Sequence, residues 1–353
     1  MKRKETNPSL ENIESGSEST ELPSSKEAVK HDEPVFFKRE EKMITQSLEI
    51  TANSEYKDNP IIEQFQNLTL EYQRLLKQAK KLVKMSDSQQ LNLSILSEEK
   101  AKAYNKINEL YKAIMNDLNF AQKIQNDILP KNIERYKGID IGIKFLPMIK
   151  VGGDIYDIVK IGDNTIRIFL ADAIGHGVQA ALITMLIKSE YDMVRRKSVS
   201  PAESFDFLNT RFMKLFVNLN LFFTGIIIDI DLVNRKICFA SAGHPTQYLL
   251  HKQQLVKMEH AGSAIGIISR KKYGQTEYSF ESNDKLFLFT DGVIEQANAQ
   301  GEEYGEDRLE DIIQKNIGLP ATEIKETIFS DIDGHLNGIE PDDDITFLDI
   351  SIG

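Results

Sequence analysis

Hydrophobic residues recur with a heptad period over 60–129, where the only proline is the first residue and there is no glycine. Alternate steps of four and three residues from Ile61 to Ile128 meet an apolar side chain at sixteen of twenty positions. A chain with 41% hydrophobic residues would give about eight by chance. The pattern therefore predicts a long coiled-coil helix. A polar cluster around Ser86 and Gln89 predicts a break, with a new helix start there.

A helix with one apolar side needs a partner to cover that side. One interpretation is that the helix packs on its own domain, and the other is that it pairs with a second copy of the chain. A helix of this length extends past the face of any single domain, so the pattern favours self-association. We expect a homodimer through the coiled coil, with the orientation of the two helices left open.

Residues 1–59 have a different composition, rich in Ser, Glu, Lys and Asn and poor in apolar side chains. Such a segment buries too little apolar surface to offset the entropy of ordering it, so we expect it to be disordered.

The pattern changes again after the predicted helix, and residues 130–353 are expected to form one domain. Nine short apolar or alternating runs, such as IDIGIKFLP and TIRIFLAD, have the length of strands. Helical patterns cover 177–197, 201–217, 306–316 and 320–336. Closely spaced strands such as KICFASAGHPTQYLL favour antiparallel pairing. The predicted fold class is α+β, an antiparallel β-sandwich flanked by helices and preceded by the long coiled-coil helix.

Composition and charge narrow the range of partners. The 353 residues carry a formal net charge of −11 at pH 7, which argues against nucleic acid, because its binding needs clustered Lys and Arg. No apolar run approaches the ~18 residues of a membrane span, and polar residues follow the basic start where a signal peptide would have an apolar core. Cys238 is the only cysteine, which excludes an internal disulfide framework and a Cys-based zinc site. We expect a cytoplasmic protein.

Four aspartates lie next to strongly apolar predicted strands. They are Asp154 after two glycines, Asp172 at the end of IRIFLAD, Asp291 at the end of LFLFTD, and Asp343 in DDDITFL. An isolated carboxylate at a buried sheet edge is costly to desolvate, so a positive group is expected beside it. Carboxylates that converge from several strands can hold two divalent cations, because such cations prefer oxygen ligands. The alternative is that each acid is an ordinary turn or cap residue.

The acids lie in sequence blocks that carry a family resemblance. The blocks VGGDIYD, ADAIGHG, SAGHP, GSAIGI, FTDGVIEQANAQGEEYGEDRL and DDDITFL occur in this order, after NFAQKIQNDILP. Together they resemble the SpoIIE/RsbU branch of the PPM family, the magnesium- or manganese-dependent protein serine/threonine phosphatases. The resemblance covers about residues 120–353.

The resemblance implies a PPM-type phosphatase domain that holds two Mn²⁺ or Mg²⁺ ions. It implies that metal binding and catalysis depend on Asp154, Asp172, Asp291 and Asp343, with the carbonyl of Ala173 as a further metal ligand. The family pattern selects Asp343 from its acidic run, and Asp342 and Asp344 remain alternatives. The implied reaction is direct hydrolysis of phosphoserine or phosphothreonine by activated water. The implied partner is a phosphorylated regulatory protein, in this branch usually a STAS-fold anti-sigma-factor antagonist.

Some residues near these blocks are given no catalytic role. Where the eukaryotic branch has a phosphate-binding arginine, this chain has only Lys144 and Lys150. His176 is explained as well by a helix cap as by a general acid. Asp157 and His244 are interpreted as turn-supporting residues.

Two other functions compete with the phosphatase hypothesis. A diguanylate cyclase also has a Gly-Gly-acid turn, but GGDIY lacks the acid-Phe continuation. The other alternative is a coiled-coil signalling scaffold with an inactive phosphatase domain, although all four aspartates are present. In an active enzyme we expect the coiled coil to transmit a signal to the helices at 177–217, which follow Asp172.

Overall fold

A computed structural model describes residues 37–56, 59–130, 138–175, 177–197 and 199–353. The chain divides into two compact units, Met1–Asn105 and Lys106–Gly353. His176 and the expected disorder of the first 36 residues lie outside the described residues. Within the described part of the chain, no helix is both long enough and apolar enough to cross a membrane.

The described part of the first unit is helical. Helix α1 spans Lys38–Ala52, and α2 spans Ile61–Ile128 and so continues into the second unit. The predicted long helix is confirmed, but the predicted break is wrong. Ser86 and Gln89 lie inside α2 with exposed side chains, where polar residues are compatible with a helix. The disorder expected for 1–59 is wrong over α1.

Helix α1 is ordered because it packs back against α2. Glu41 of α1 forms an ion pair with Lys80 of α2. The side-chain amide of Gln66 donates to the carbonyl of Thr51 at 3.3 Å. Ile44 is only 7% exposed. A short helix is marginal alone in water, so these tertiary contacts supply the stability that the composition of this segment did not predict.

The strands of the second unit form two antiparallel five-stranded sheets. The first sheet has the order β1 (Ile139–Leu146), β10 (Ile345–Ile352), β9 (Lys285–Phe289), β6 (Gln247–His251) and β7 (Gln254–Met258). The second sheet has the order β2 (Asp154–Ile161), β3 (Thr165–Ala173), β4 (Phe223–Asp231), β5 (Lys236–Ala242) and β8 (Thr276–Ser279). The predicted antiparallel pairing is confirmed. Strand β7 was not predicted, because this short edge strand has exposed polar residues at Gln254 and Lys257.

Four helices cover the outer faces of the two sheets, as predicted. Helices α3 (Gly177–Asp192) and α4 (Pro201–Phe216) lie on the second sheet, and α5 (Glu306–Lys315) and α6 (Ala321–Leu336) lie on the side of the first. A capping box fixes the start of α4, since Ser200 and Glu203 each bond the backbone N–H of the other.

The packing of strand β10 shows how the layers share the apolar side chains. Leu348 and Ile350 belong to the core between the sheets, and the same cluster extends to Phe205 of α4. Phe347 points the other way and belongs to the core under α5 and α6. Alternate residues of a strand face opposite sides of its sheet. Both sheets are therefore anchored on both faces, which fixes the ends of their strands relative to one another.

Candidate metal centre

The β2–β3 hairpin brings two of the predicted aspartates together at one end of the second sheet. Asp154 is the first residue of β2, and Asp172 lies opposite it in the antiparallel register of β3. Opposed residues of adjacent strands have Cβ atoms about 4.5–5.5 Å apart. The register of the hairpin thus places two carboxylates side by side, although their positions in the sequence are eighteen residues apart.

The first sheet contributes its acids at the same end of the sandwich. Asp291 begins a single 3-10 turn two residues after the last residue of β9, and Asp343 lies two residues before β10. These strands are antiparallel neighbours, so the end of one lies beside the start of the other. The N–H of Thr290 donates to the carbonyl of Thr346 at 3.1 Å and so joins the two strands at this point.

Mutual electrostatic effects show that acids from both sheets are close. The pKa of Asp172 is raised to about 8, first by burial and then by the charges of Asp291, Asp343 and Asp344. The pKa of Asp154 is raised by burial and then by the charge of Asp172. Burial and the charge of Asp343 also raise the pKa of Asp291. A bound cation would replace this repulsion by attraction, so the cluster is suited to binding one.

One oxygen of Asp154 is an unpartnered buried acceptor. Its Oδ2 accepts hydrogen bonds from the hydroxyls of Thr290 at 2.8 Å and Thr346 at 2.5 Å, whereas Oδ1 is buried without a hydrogen-bond partner. A buried acid that is purely structural looks different, as at Asp229, where Arg167 binds both carboxylate oxygens at 2.6–2.7 Å. The orphaned oxygen of Asp154 therefore fits a metal ligand.

Close backbone packing at the glycines brings further oxygens to the site. A Cβ on Gly153 would lie 2.9 Å from the carbonyl oxygen of Ala173 and 3.3 Å from Oδ1 of Asp172. Only glycine allows the turn before Asp154 to approach these two oxygens so closely. The predicted backbone ligand thus lies in the same place as the carboxylates.

The donor set matches a hard cation in its chemistry, since all of these atoms are oxygens. Among the described residues, however, no three His, Cys, Asp or Glu side chains are arranged to hold a metal ion as they stand. Proximity, buried charge and the orphaned oxygen of Asp154 nevertheless support a metal site here.

The neighbouring Asp344 has a different environment from the other acids. It is buried and accepts the N–H groups of Met148, at 2.7 Å, and of Gly153. A Cβ on Gly152 would lie 2.6 Å from its Oδ2. Asp344 thus holds the glycine turn in place.

Asp343 faces the acid cluster instead. It is half-buried, and its charge raises the pKa values of Asp172 and Asp291. Asp342 is exposed, and its N–H donates to the side chain of Gln296 at 3.2 Å. These environments favour Asp343 as the ligand from the DDD run.

Three of the residues given no catalytic role, Lys144, His244 and Asp157, have structural environments. The ammonium of Lys144 lies 5.2 Å from the ring centre of Phe329. Burial lowers the pKa of His244 to about 3, so this side chain is neutral. Asp157 lies within strand β2, and its ion pair with Arg195 at 2.9 Å ties that strand to the segment after α3. Asp157 therefore supports a strand–helix contact, which corrects its interpretation as a turn residue.

Gln125, near the end of α2, is a site residue that sequence reasoning missed. Its side-chain amide donates to the carbonyl of Gly152 at 2.7 Å and to Oγ1 of Thr184 at 3.2 Å. Its Oε1 accepts the N–H of Gly152 at 3.1 Å. Gln125 is 2% exposed and joins α2, the glycine turn and α3. A single polar residue in a polar helix carries no signal of this role.

Comparison with known proteins finds a matching family model, related sequences and a solved structure of similar fold. A family model described as Stage II sporulation protein E (SpoIIE) matches residues 162–353. Phosphoserine phosphatase RsbU of Bacillus subtilis (strain 168) is 28% identical over 237 residues, which cover 67% of this chain and 70% of RsbU. Phosphoserine phosphatase RsbP of the same organism is 24% identical over 248 residues, which cover 67% of this chain and 58% of RsbP. The SiaA-PP2C domain of Pseudomonas aeruginosa superposes with a TM-score of 0.62 at 25% identity, over 69% of this chain and 98% of that domain.

Proposed function

The chain belongs to the SpoIIE family of PP2C-type serine/threonine phosphatases, and from this premise we propose that it removes phosphate from a regulatory protein. We propose that residues 130–353 form the phosphatase domain. Two Mg²⁺ or Mn²⁺ ions are held there by Asp154, Asp172, Asp291, Asp343 and the carbonyl of Ala173. The observation that carries the proposal is the buried Oδ1 of Asp154. This oxygen has no hydrogen-bond partner, although it lies in a cluster of acids from both sheets.

Asp154, Asp344 and Gln125 have different parts in the proposed site. Bound divalent ions would lower the pKa of a water molecule and neutralise charge on the phosphoryl oxygens. Asp154 presents one oxygen to the site while two threonine hydroxyls hold the other. Asp344 and Gln125 hold the backbone of the glycine turn that carries Asp154. The protein thus supplies orientation, and no side chain need form a covalent bond to phosphate.

The proposed substrate is a phosphoserine or phosphothreonine on a STAS-fold anti-sigma-factor antagonist. The resemblance to the SpoIIE/RsbU branch supports this substrate, and RsbU and RsbP are themselves phosphoserine phosphatases. A cytoplasmic location, expected from the lone cysteine, is part of the same proposal.

We further propose that the chain is a homodimer through α2. Leu68, Leu75 and Leu82 are each more than 60% exposed at steps of seven residues. Leu96 continues the same phase at 62% exposure. A regular stripe of exposed leucines is the surface that a coiled-coil partner covers. Helix α1 contacts α2 at other residues, Lys80 and Gln66, and leaves these leucines exposed.

Purified protein tests the phosphatase proposal directly. We expect Mn²⁺-dependent hydrolysis of p-nitrophenyl phosphate and of phosphorylated STAS proteins. Asp154→Asn and Asp291→Asn should each lower kcat/KM by about 100-fold or more, since a metal supplies several kcal/mol of transition-state stabilisation. Asp163→Asn is the matched control, because Asp163 is an exposed acid at the opposite end of the β2–β3 hairpin.

Binding of Mn²⁺, measured by titration calorimetry, separates the alternatives. A chain that binds the ion but hydrolyses no phosphoester is a scaffold with an inactive domain. A folded chain that binds no Mn²⁺ contradicts the proposed metal site.

A further inference from the structure

Two buried threonines from the first sheet meet the same oxygen of Asp154 from the second sheet. Thr290 follows the last residue of β9 and Thr346 is the second residue of β10, and both are fully buried. Their hydroxyls lie 2.8 Å and 2.5 Å from Oδ2 of Asp154. These contacts cross from one sheet to the other at the end of the sandwich where the acids gather.

The surroundings of Thr290 fix the direction of its hydroxyl hydrogen. Its Oγ1 accepts the backbone N–H of Thr346 at 3.2 Å, so its own hydrogen remains available for Asp154. The backbone N–H of Thr290 donates in turn to the carbonyl of Thr346. A hydroxyl has one hydrogen to donate. Both hydroxyls therefore use theirs on Oδ2 and leave Oδ1 as the oxygen of Asp154 that can bind a cation.

We propose that Thr290 and Thr346 are positioning residues that lock the carboxylate of Asp154 with Oδ1 directed at the metal ions. This inference rests on the assignment of Asp154 as a metal ligand. Removal of a group that holds a metal ligand in place commonly lowers metal affinity by about 10–100-fold, and we expect a loss of that size here. The threonine methyl group adds to the lock, because branching at Cβ restricts the side chain to few rotamers.

Substitutions that remove only the hydroxyl test the proposal. Thr290→Val and Thr346→Val keep the shape of the side chain, while Thr290→Ser and Thr346→Ser keep the hydroxyl. The full chain is titrated with Mn²⁺ by calorimetry, and its urea unfolding is measured without metal. We expect each valine variant to bind Mn²⁺ about 10–100-fold more weakly and each serine variant to stay within about threefold of the parent.

Thr276→Val is the matched control. Thr276 lies on edge strand β8, and its hydroxyl lies 3.2 Å from Nδ1 of His260. It makes no contact with the acids. Its Mn²⁺ affinity should equal that of the parent.

The outcomes separate positioning from a purely structural role. Valine variants that bind Mn²⁺ as tightly as the parent and only unfold at lower urea would overturn the proposal. Should Thr346→Val not fold, Thr346→Ala is the second variant. A water in place of its hydroxyl can solvate Oδ2 but is not tethered to β10, so it does not lock the carboxylate and the same weakened binding is expected. Failure of the parent chain itself to bind Mn²⁺ would instead refute the metal site proposed above, before any threonine is changed.

Discussion

The contact between Gln125 and the glycine turn predicts a strong effect of a substitution outside the acid cluster. Gln125 makes three hydrogen bonds, two with the backbone of Gly152 and one with Thr184. Gly152 is itself buried and stands two residues before Asp154. Gln125→Ala would remove all three bonds and leave the N–H and carbonyl of Gly152 without these partners.

The magnitude follows from the cost of an orphaned buried group. Each such group costs about 1–3 kcal/mol, so the loss of partners for two groups should lower the free energy of unfolding by about 2–6 kcal/mol. The turn would also lose its fixed position. A displacement of about 1 Å at a reacting centre can cost on the order of 100-fold in rate. We therefore expect kcat/KM for p-nitrophenyl phosphate to fall by about 10–100-fold.

Urea unfolding and metal-dependent activity measure the two effects. The chain has no tryptophan but 11 tyrosines, so near-ultraviolet circular dichroism of tyrosine is a suitable probe. Asn126→Ala is the control, because Asn126 is the exposed neighbour of Gln125 on the same turn of α2, and its change should stay within about 0.5 kcal/mol. A Gln125→Ala protein with parental stability and parental kcat/KM would refute the reasoning.

Three further predictions concern pH, a glycine and the metal. The pKa of Asp349, whose carboxylate is buried with both oxygens unpartnered, is raised by burial to about 7. The protonated Asp349 therefore stabilises the fold fully below its ordinary pKa of 3.8, and this contribution is lost as pH rises through 7, by roughly 4 kcal/mol at most. Asp349→Asn should flatten the dependence of the free energy of unfolding in urea on pH between pH 4 and 8. An unchanged pH profile would contradict this prediction. Gly292→Ala would place a Cβ 1.9 Å from the carbonyl oxygen of Asp344 and should lower both melting temperature and activity. Gly334 lies inside α6 with open space around it, so Gly334→Ala should instead raise the free energy of unfolding by up to about 1 kcal/mol. Equal effects of the two substitutions would show that the packing argument is wrong. Asp172 has a pKa of about 8 and would have to lose its proton to bind a metal ion. After removal of metal by EDTA, added Mn²⁺ should therefore raise the melting temperature more at pH 8 than at pH 6. Equal shifts at the two pH values would count against the proposed site.

The hydrophobic pattern was sufficient to predict the architecture of the second unit. Alternation along TIRIFLAD and its neighbours reflects strands whose faces pack into two different cores, as Phe347 and Leu348 show. Helix α2 was predicted from the heptad period of its apolar residues, although leucines of this stripe such as Leu68 and Leu75 are exposed in the single chain. Ser86 and Gln89 misled the prediction because a long helix tolerates polar residues on its exposed side.

The acid site could be predicted only in part. Asp154 and Asp172 were recognised because each abuts an apolar strand, and the hairpin register then places them opposite each other. No sequence feature distinguishes a threonine that packs in a core from Thr290 or Thr346, whose hydroxyls bond an acid on the other sheet. The role of Gln125 could not be predicted either, because its partner is the backbone of Gly152 and a backbone contact does not depend on the residue type of the partner.

The division of the acid site between two sheets has a consequence for the newly made protein. Asp154 and Asp172 are translated early in the domain, whereas the segment from Asp343 to Thr346 leads into its last described strand. A ribosome must therefore deliver almost the whole domain before these groups can meet. Partly synthesised or C-terminally clipped chains should therefore lack the complete acid site.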